Sequence, residues 1–130
     1  YEALAKCGEY PNFCLAAPAA LRPWGYEEIY VHSKAAIIDD TWATIGSTNL
    51  VFSSFQGDTE MNVSFWDNLT TRTFRTQLFD EHGGFSSGQY DGREALEKLI
   101  KIADENRSKR EENQPLQGFI YAIDPKNWAK

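Results

Sequence analysis

One stretch gathers residues that could do chemistry together: "YVHSKAAIIDDTWATIGSTN", residues 30 to 49. It sets His32 and Lys34 two positions apart in an apolar run. In a strand, successive side chains point to opposite faces, so these two share one face. Two polar heads on an apolar strand lose hydration unless they find partners. For a lone histidine, a neighbouring carboxylate or solvent at a sheet edge would be partner enough. Here the chain returns fifteen positions later through Gly46, Ser47, Thr48 and Asn49. A glycine at a strand end lets backbone come close to something bound there. Ser47 and Asn49 add short hydrogen-bonding side chains, and an asparagine carries two amide donors. Lys34 supplies a point positive charge. Lysine, serine and asparagine together make an oxyanion cradle, beside which His32 can act as nucleophile or proton carrier on a phosphorus centre.

The elements that must position these groups follow from the apolar pattern. "FCLAA", residues 13 to 17, reads as a short buried strand, and "PAALRPWGYEE" as a loop broken by Pro18, Pro23 and Gly25. "IYVHSKAAIID" reads as a long strand rich in Ile, Val and Tyr. Asp39, Asp40 and Thr41 form a turn, and "WATIGS" completes a hairpin. Thr48 or Asn49 is expected to start a short helical turn, "FSSFQGD" to be loop, and "TEMNVSFW" to be a strand by its alternation. Phe74, Leu78 and Phe79 lie at helical spacing before a Gly83–Gly84 stop. A second helix is expected from Glu94 to about Arg107, with Leu96, Leu99, Ile100 and Ala103 on one face. "FIYAID" is a last strand. Strands alternating with helices predict an α/β fold.

Composition bounds the rest. The 130 residues are 42% hydrophobic and 14% aromatic, enough for one folded domain. No apolar run approaches the ~20 residues of a membrane span. The opening residues have neither the basic nor the apolar region of a signal peptide, and the missing initiator Met suggests a start inside a longer protein. A net charge of −6 is the wrong sign for general affinity to a phosphodiester backbone. Cys7 and Cys14 lack metal-binding spacing and read as reduced structural thiols, with a disulfide between them as the alternative. Trp24, Trp42, Trp66 and Trp128 suit packing better than a lipid-facing surface, and "RSKREE" reads as a solvated helix end.

The motifs then meet a known pattern. "HSKAAIID" resembles the H-x-K-x-x-x-x-D signature of the phospholipase D superfamily, and "GSTN" lies where that family places G-S-x-N. "CLAAP…IYVHSK" upstream, and "DTEMNVSFWD" and "FRTQLFDEHGG" downstream, are similar to the family's flanking segments. The resemblance covers most of residues 12 to 83. Residues 84 to 130 look more loosely like the C-terminal tail of phospholipases of this type. It implies an α/β fold with a phospholipase D-like mixed sheet flanked by helices, residues 1–130 forming a single second-motif domain and one half of a two-lobed enzyme. By this resemblance His32 attacks phosphorus or protonates the leaving alcohol. Lys34 and Asn49 grip the non-bridging oxygens, Ser47 hydrogen-bonds in the same pocket, and Glu60 orients the histidine through its other ring nitrogen. Asp39 is a structural motif member bonding backbone at the hairpin, Gly46 belongs to the motif, and Asp40 is an exposed turn residue.

The family's chemistry uses two histidines, and this chain has only one other. His82, at a predicted helix end and outside any motif, suits helix capping better. The missing motif would come from an N-terminal half in the same polypeptide or from a second copy. The resemblance therefore implies cleavage or exchange of a phospholipid head group with water or an alcohol as acceptor, peripheral membrane contact, and no metal or organic cofactor. The alternative is a single-motif homodimeric endonuclease, which the acidic balance disfavours. A binding or scaffold domain that keeps the fold without turnover is a third reading.

Overall fold

The computed structural model of the protein describes residues 2–126, so Trp128 lies outside the described residues. In chain order the elements are α1 (Glu2–Cys7), β1 (Leu15–Arg22), β2 (Gly25–Glu28), β3 (Lys34–Ile38), β4 (Trp42–Gly46), α2 (Phe52–Gln56), β5 (Asn62–Trp66), α3 (Asn68–Gly83), α4 (Gly92–Glu111) and β6 (Ile120–Ile123). The fold is α/β, with two three-stranded antiparallel sheets ordered β2-β1-β6 and β3-β4-β5. Residues form two compact units: 2–30 with 79–126, and 31–78. No described helix is long and apolar enough to cross a membrane.

The first unit is held by α4 and the β1–β6 pair. Ala103, Ile120 and Ala122 form its buried cluster, with Cys14, Leu99 and Phe119 packed against it. Both cysteines are free and half-buried, and burial pushes the Cys14 thiol up. Asp91 and Glu94 close a capping box that starts α4. The helix buries Ala95, Ile102, Ala103 and Asn106, whereas Leu96 is exposed, so the inward stripe is rotated from the expected one. Asn106 fixes that stripe. Fully buried, it donates to the carbonyls of Gln117 and Ile120 (2.8 and 2.7 Å) and accepts from the Gln117 amide (3.0 Å), so both donors and the acceptor oxygen have a partner.

Three expectations for this unit are corrected. "PAALRPWGYEE" is a hairpin: β1 runs on to Arg22, and β2 starts at Gly25, whose φ of 117° suits a glycine. Pro18 is tolerated inside β1 because β1 changes partner there. Its ladder with β6 ends at Pro18 and its ladder with β2 begins at Ala19, so the absent N–H is not needed. "RSKREE" ends α4 with Ser108, Glu111 and Glu112 exposed, as expected, but its two arginines are engaged. Arg107 Nε donates to the Ala122 carbonyl (3.0 Å), and the Arg110 guanidinium lies 4.4 Å above the Tyr121 ring while pairing with Glu28 (3.3 Å). His82 packs edge-on against Phe119, with ring centres 4.9 Å apart, rather than serving only as a cap.

In the second unit, β3, β4 and β5 pair in register, with Lys34, Gly46 and Asn62 in one row and Ile38, Trp42 and Trp66 in the last. Trp42 and Trp66 meet at 6.0 Å, and Trp66, like Trp24 of the first unit, is 78% exposed, so neither is core packing. Asp39 and Asp40 both take left-handed φ (53° and 52°), as a type I′ hairpin turn requires and as aspartate tolerates. The Asp67 side chain accepts from the Thr70 amide (2.6 Å) and starts α3. Within α3, Phe74 and Leu78 are half-buried as expected, yet the fully buried side chains are polar: Thr71 and Arg75.

Candidate active site

β3 begins at Lys34, so His32 lies on the segment leading into the strand and outside the ladder. The expected long strand stops there because its partner does. β4 ends at Gly46 opposite Lys34, and Ser47 turns to pair with the next segment, its amide donating to the Met61 carbonyl (3.0 Å). His32 is exposed. The Lys34 ammonium folds back on the His32 carbonyl (2.7 Å), which ties the two motif residues together through backbone.

Opposite them, each residue of the Ser47–Asn49 turn has its own anchor. Ser47 Oγ accepts from the Met61 amide (3.0 Å) and donates to Glu60 Oε2 (2.5 Å). The Thr48 hydroxyl donates to Asn62 Oδ1 (2.7 Å), and Asn62 Nδ2 donates to Thr44 Oγ1 (3.2 Å). Ser64 Oγ also donates to Thr44 Oγ1 (2.9 Å), extending this polar ladder down the sheet. The Asn49 amide donates to Ser54 Oγ (3.3 Å). Ser47 and Asn49 remain exposed, so the turn is open to a ligand.

Glu60 is where these threads meet. The Ser47 hydroxyl first, and the Ser54 hydroxyl second, hold its carboxyl below the usual carboxylate range, and the Lys34 ammonium adds to the effect. Lys34, Ser47 and Glu60 are thus brought together, while the Asn49 amide bonds to Ser54 of α2. Among the described residues no group of three or more His, Cys, Asp and Glu side chains is placed to hold a metal ion.

Gly46 has a different reason from the one its position suggested. A Cβ there would overlap the Asn62 side chain and the Met61 carbonyl, so the close neighbour is the chain itself. Gly46→Ala should push β5 from β4 and lower stability by about 2 kcal/mol or more, read from the urea midpoint. An unchanged midpoint would show that the strands yield freely.

The two aspartates of the turn also exchange roles. Asp39 is exposed, and among the described residues none takes its carboxylate. Asp40, expected to be exposed, receives a two-pronged contact from Arg75, whose Nε and Nη2 lie 2.7 and 2.8 Å from its oxygens. The Arg75 side chain is only 4% exposed. This pair locks the hairpin tip to the N-terminal part of α3.

The sequence profile described as cardiolipin synthase, PLD-like domain, matches residues 9–82. The chain belongs to the phospholipase D superfamily. Among its relatives within this superfamily, phospholipase D alpha 4 of Arabidopsis thaliana is 33% identical over 91 residues, covering 59% of this chain and 12% of that protein. Phospholipase D of Phytophthora infestans is 30% identical over 100 residues, 64% of this chain and 5% of its own length. Cardiolipin synthase B of Salmonella typhi is 29% identical over 75 residues, 58% of this chain and 18% of the relative. In each case the matched stretch is less than a fifth of the relative. No solved structure gives a significant match. Phospholipase D motif spacing pointed to His32, Lys34, Ser47, Asn49 and Glu60. It gave no sign of Ser54 or Asn62, whose types are common and whose contacts are not sequential.

Proposed function

We propose that this chain supplies the second-motif half of a phospholipase D-type active site, which cleaves or exchanges a phospholipid head group through a phosphohistidine intermediate. The observation that carries the reading is the convergence of Lys34, Ser47 and Glu60 at one end of the β3–β4–β5 sheet, beside the exposed Asn49 and the His32 backbone. The family membership and the names of the relatives agree with it.

In this reading Lys34, Ser47 and Asn49 bind the non-bridging oxygens of the phosphodiester, where charge builds as phosphorus becomes five-coordinate. One histidine forms the phosphorus–nitrogen bond as the phosphorus–oxygen bond to the head group breaks. The other gives that oxygen its proton. Water or an alcohol then attacks phosphorus, yields its proton to the second histidine, and releases the first. His32 takes one of these positions, and the first-motif half, in the same polypeptide or a second copy, supplies the other. Lys34 must leave the His32 carbonyl to reach a phosphate, an exchange of one acceptor for a charged and better one.

The test is turnover by the chain alone, and with a first-motif phospholipase D half supplied, on phosphatidylcholine vesicles and on plasmid DNA. Head-group release or exchange only when both motifs are present is the expected result. DNA nicking by the chain alone as a dimer would contradict it and favour the nuclease reading.

Glu60 gives a pH prediction. Its carboxyl is held low in the folded chain, so the charge is present above the ordinary glutamate range and persists some way below it. Its contribution to activity and to folding is lost only as pH falls through that depressed value. Glu60→Gln should cut kcat by about tenfold or more and abolish the corresponding acid limb of the pH–rate profile. A profile identical to wild type would remove Glu60 from the mechanism.

A further inference from the structure

The apolar residues that follow the phosphate-gripping turn face outward. Directly after Asn49 the chain runs "LVFSSFQG", residues 50 to 57, which bends and then forms α2. Leu50, Phe52 and Phe55 are 95%, 82% and 61% exposed, and Val51 is exposed as well. Phe52 and Phe55 lie three apart and so share one face of α2, whereas the residue the helix buries is Ser54. A surface helix ordinarily turns its apolar side toward the fold. This one turns it toward solvent. Apolar surface left in water forgoes the largest favourable contribution to folding, so an outward cluster of this kind marks contact with something else.

We infer that this segment is a membrane-contact surface, on which Leu50, Phe52 and Phe55 enter the apolar edge of a phospholipid bilayer without help from charge. The choice of a bilayer rests on the proposed function, and two observations favour it over a protein partner. The first is continuity. The cluster begins one residue after Asn49, which is assigned to the phosphate, and in a bilayer the phosphates stand at the boundary of the hydrocarbon core. A turn that grips one therefore brings its neighbours to the other. The second is charge. From Asn49 to Gly57 no side chain is ionisable, and the polar ones are the hydroxyls of Ser53 and Ser54 and the amides of Asn49 and Gln56. Such a segment can settle among head groups without burying a charge. The acids Asp58 and Glu60 follow it, and the chain as a whole carries −6, so anionic lipid repels it and the attraction is apolar burial.

Flotation of the full chain with phosphatidylcholine vesicles tests this, beside vesicles of phosphatidylcholine and phosphatidylglycerol in equal parts. The chain should float with the neutral vesicles and keep its partition as salt is raised. On the anionic vesicles it should bind less at low salt and recover as salt screens the repulsion. Phe52→Ser and Phe55→Ser should each weaken partition by about tenfold, and together by about a hundredfold. Phe52→Leu with Phe55→Leu should keep most of it. Leu69→Ser is the control, at an apolar side chain 78% exposed in the first turn of α3, and should leave partition unchanged. Circular dichroism checks that each variant is folded. Should a serine in α2 prevent folding, Leu50→Ser, in the bend before the helix, reads the same loss. No flotation of the wild-type chain, or flotation that salt abolishes, would overturn the inference. So would serine variants that float like wild type but no longer self-associate or bind the first-motif half, because the cluster would then be a protein contact. Flotation needs no turnover. Absence of head-group release with both motifs present would instead count against the phospholipase reading, leaving the flotation results to judge this surface on their own.

Discussion

His32→Ala should lower turnover by about a thousandfold or more while leaving the thermal unfolding midpoint within a degree or two of wild type. In the proposed mechanism the imidazole either forms the phosphorus–nitrogen bond or protonates the leaving oxygen, and an alanine side chain can do neither. Stability should survive because His32 is exposed and lies outside the β3 ladder. Its structural contact to Lys34 uses the backbone carbonyl, which alanine keeps. Head-group release from phosphatidylcholine, measured with both motifs present, reads the first quantity, and circular dichroism reads the second. Near-wild-type turnover in His32→Ala would remove the nucleophile-or-acid role.

The second large effect concerns stability. Replacing Asp40 with Ala strands the Arg75 guanidinium, whose side chain is 4% exposed, without its carboxylate, and should cost about 3–5 kcal/mol. Asp40→Asn isolates the charge, since asparagine also tolerates the left-handed φ of 52° and keeps one acceptor. It should cost less than alanine and still lower the urea midpoint clearly. Asp39→Asn is the control. Its carboxylate is exposed, so the change should stay within about 0.5 kcal/mol. A larger loss from Asp39→Asn than from Asp40→Asn would reverse the assignment.

That contrast shows where sequence patterns stop being informative. The β3–β4 hairpin is readable from its β-branched and aromatic residues on either side of the Asp39–Asp40 turn, and β5 from its alternation of polar and apolar positions. The end of α3 is readable because Gly84 can take the φ of 63° that a helix stop uses. Adjacent aspartates at a tight turn look alike in sequence. Which of them carries an ion pair depends on Arg75, thirty-five positions away on a helix. β1 is hidden because a proline normally ends a strand, and only the change of ladder partner at Pro18 makes it harmless. α2 is hidden for the opposite reason. "FSSF" has no inward apolar face to detect, because its buried residue is a serine. The candidate site divides in the same way. Motif spacing points to the groups that could meet a phosphate, whereas Ser54 and Asn62, which hold those groups in place, are found only from contacts.

Sodium orthovanadate, a tetrahedral phosphate analogue that becomes five-coordinate when a nucleophile adds to it, gives the most direct test when titrated into the chain and followed by NMR. The expected result is that the His32 ring, the Lys34 ammonium and the Ser47 and Asn49 amides shift along one saturable curve, which Lys34→Ala abolishes. Shifts that follow separate curves, or that fall away from the end of the β3–β4–β5 sheet, would contradict a single phosphate site built from these four residues.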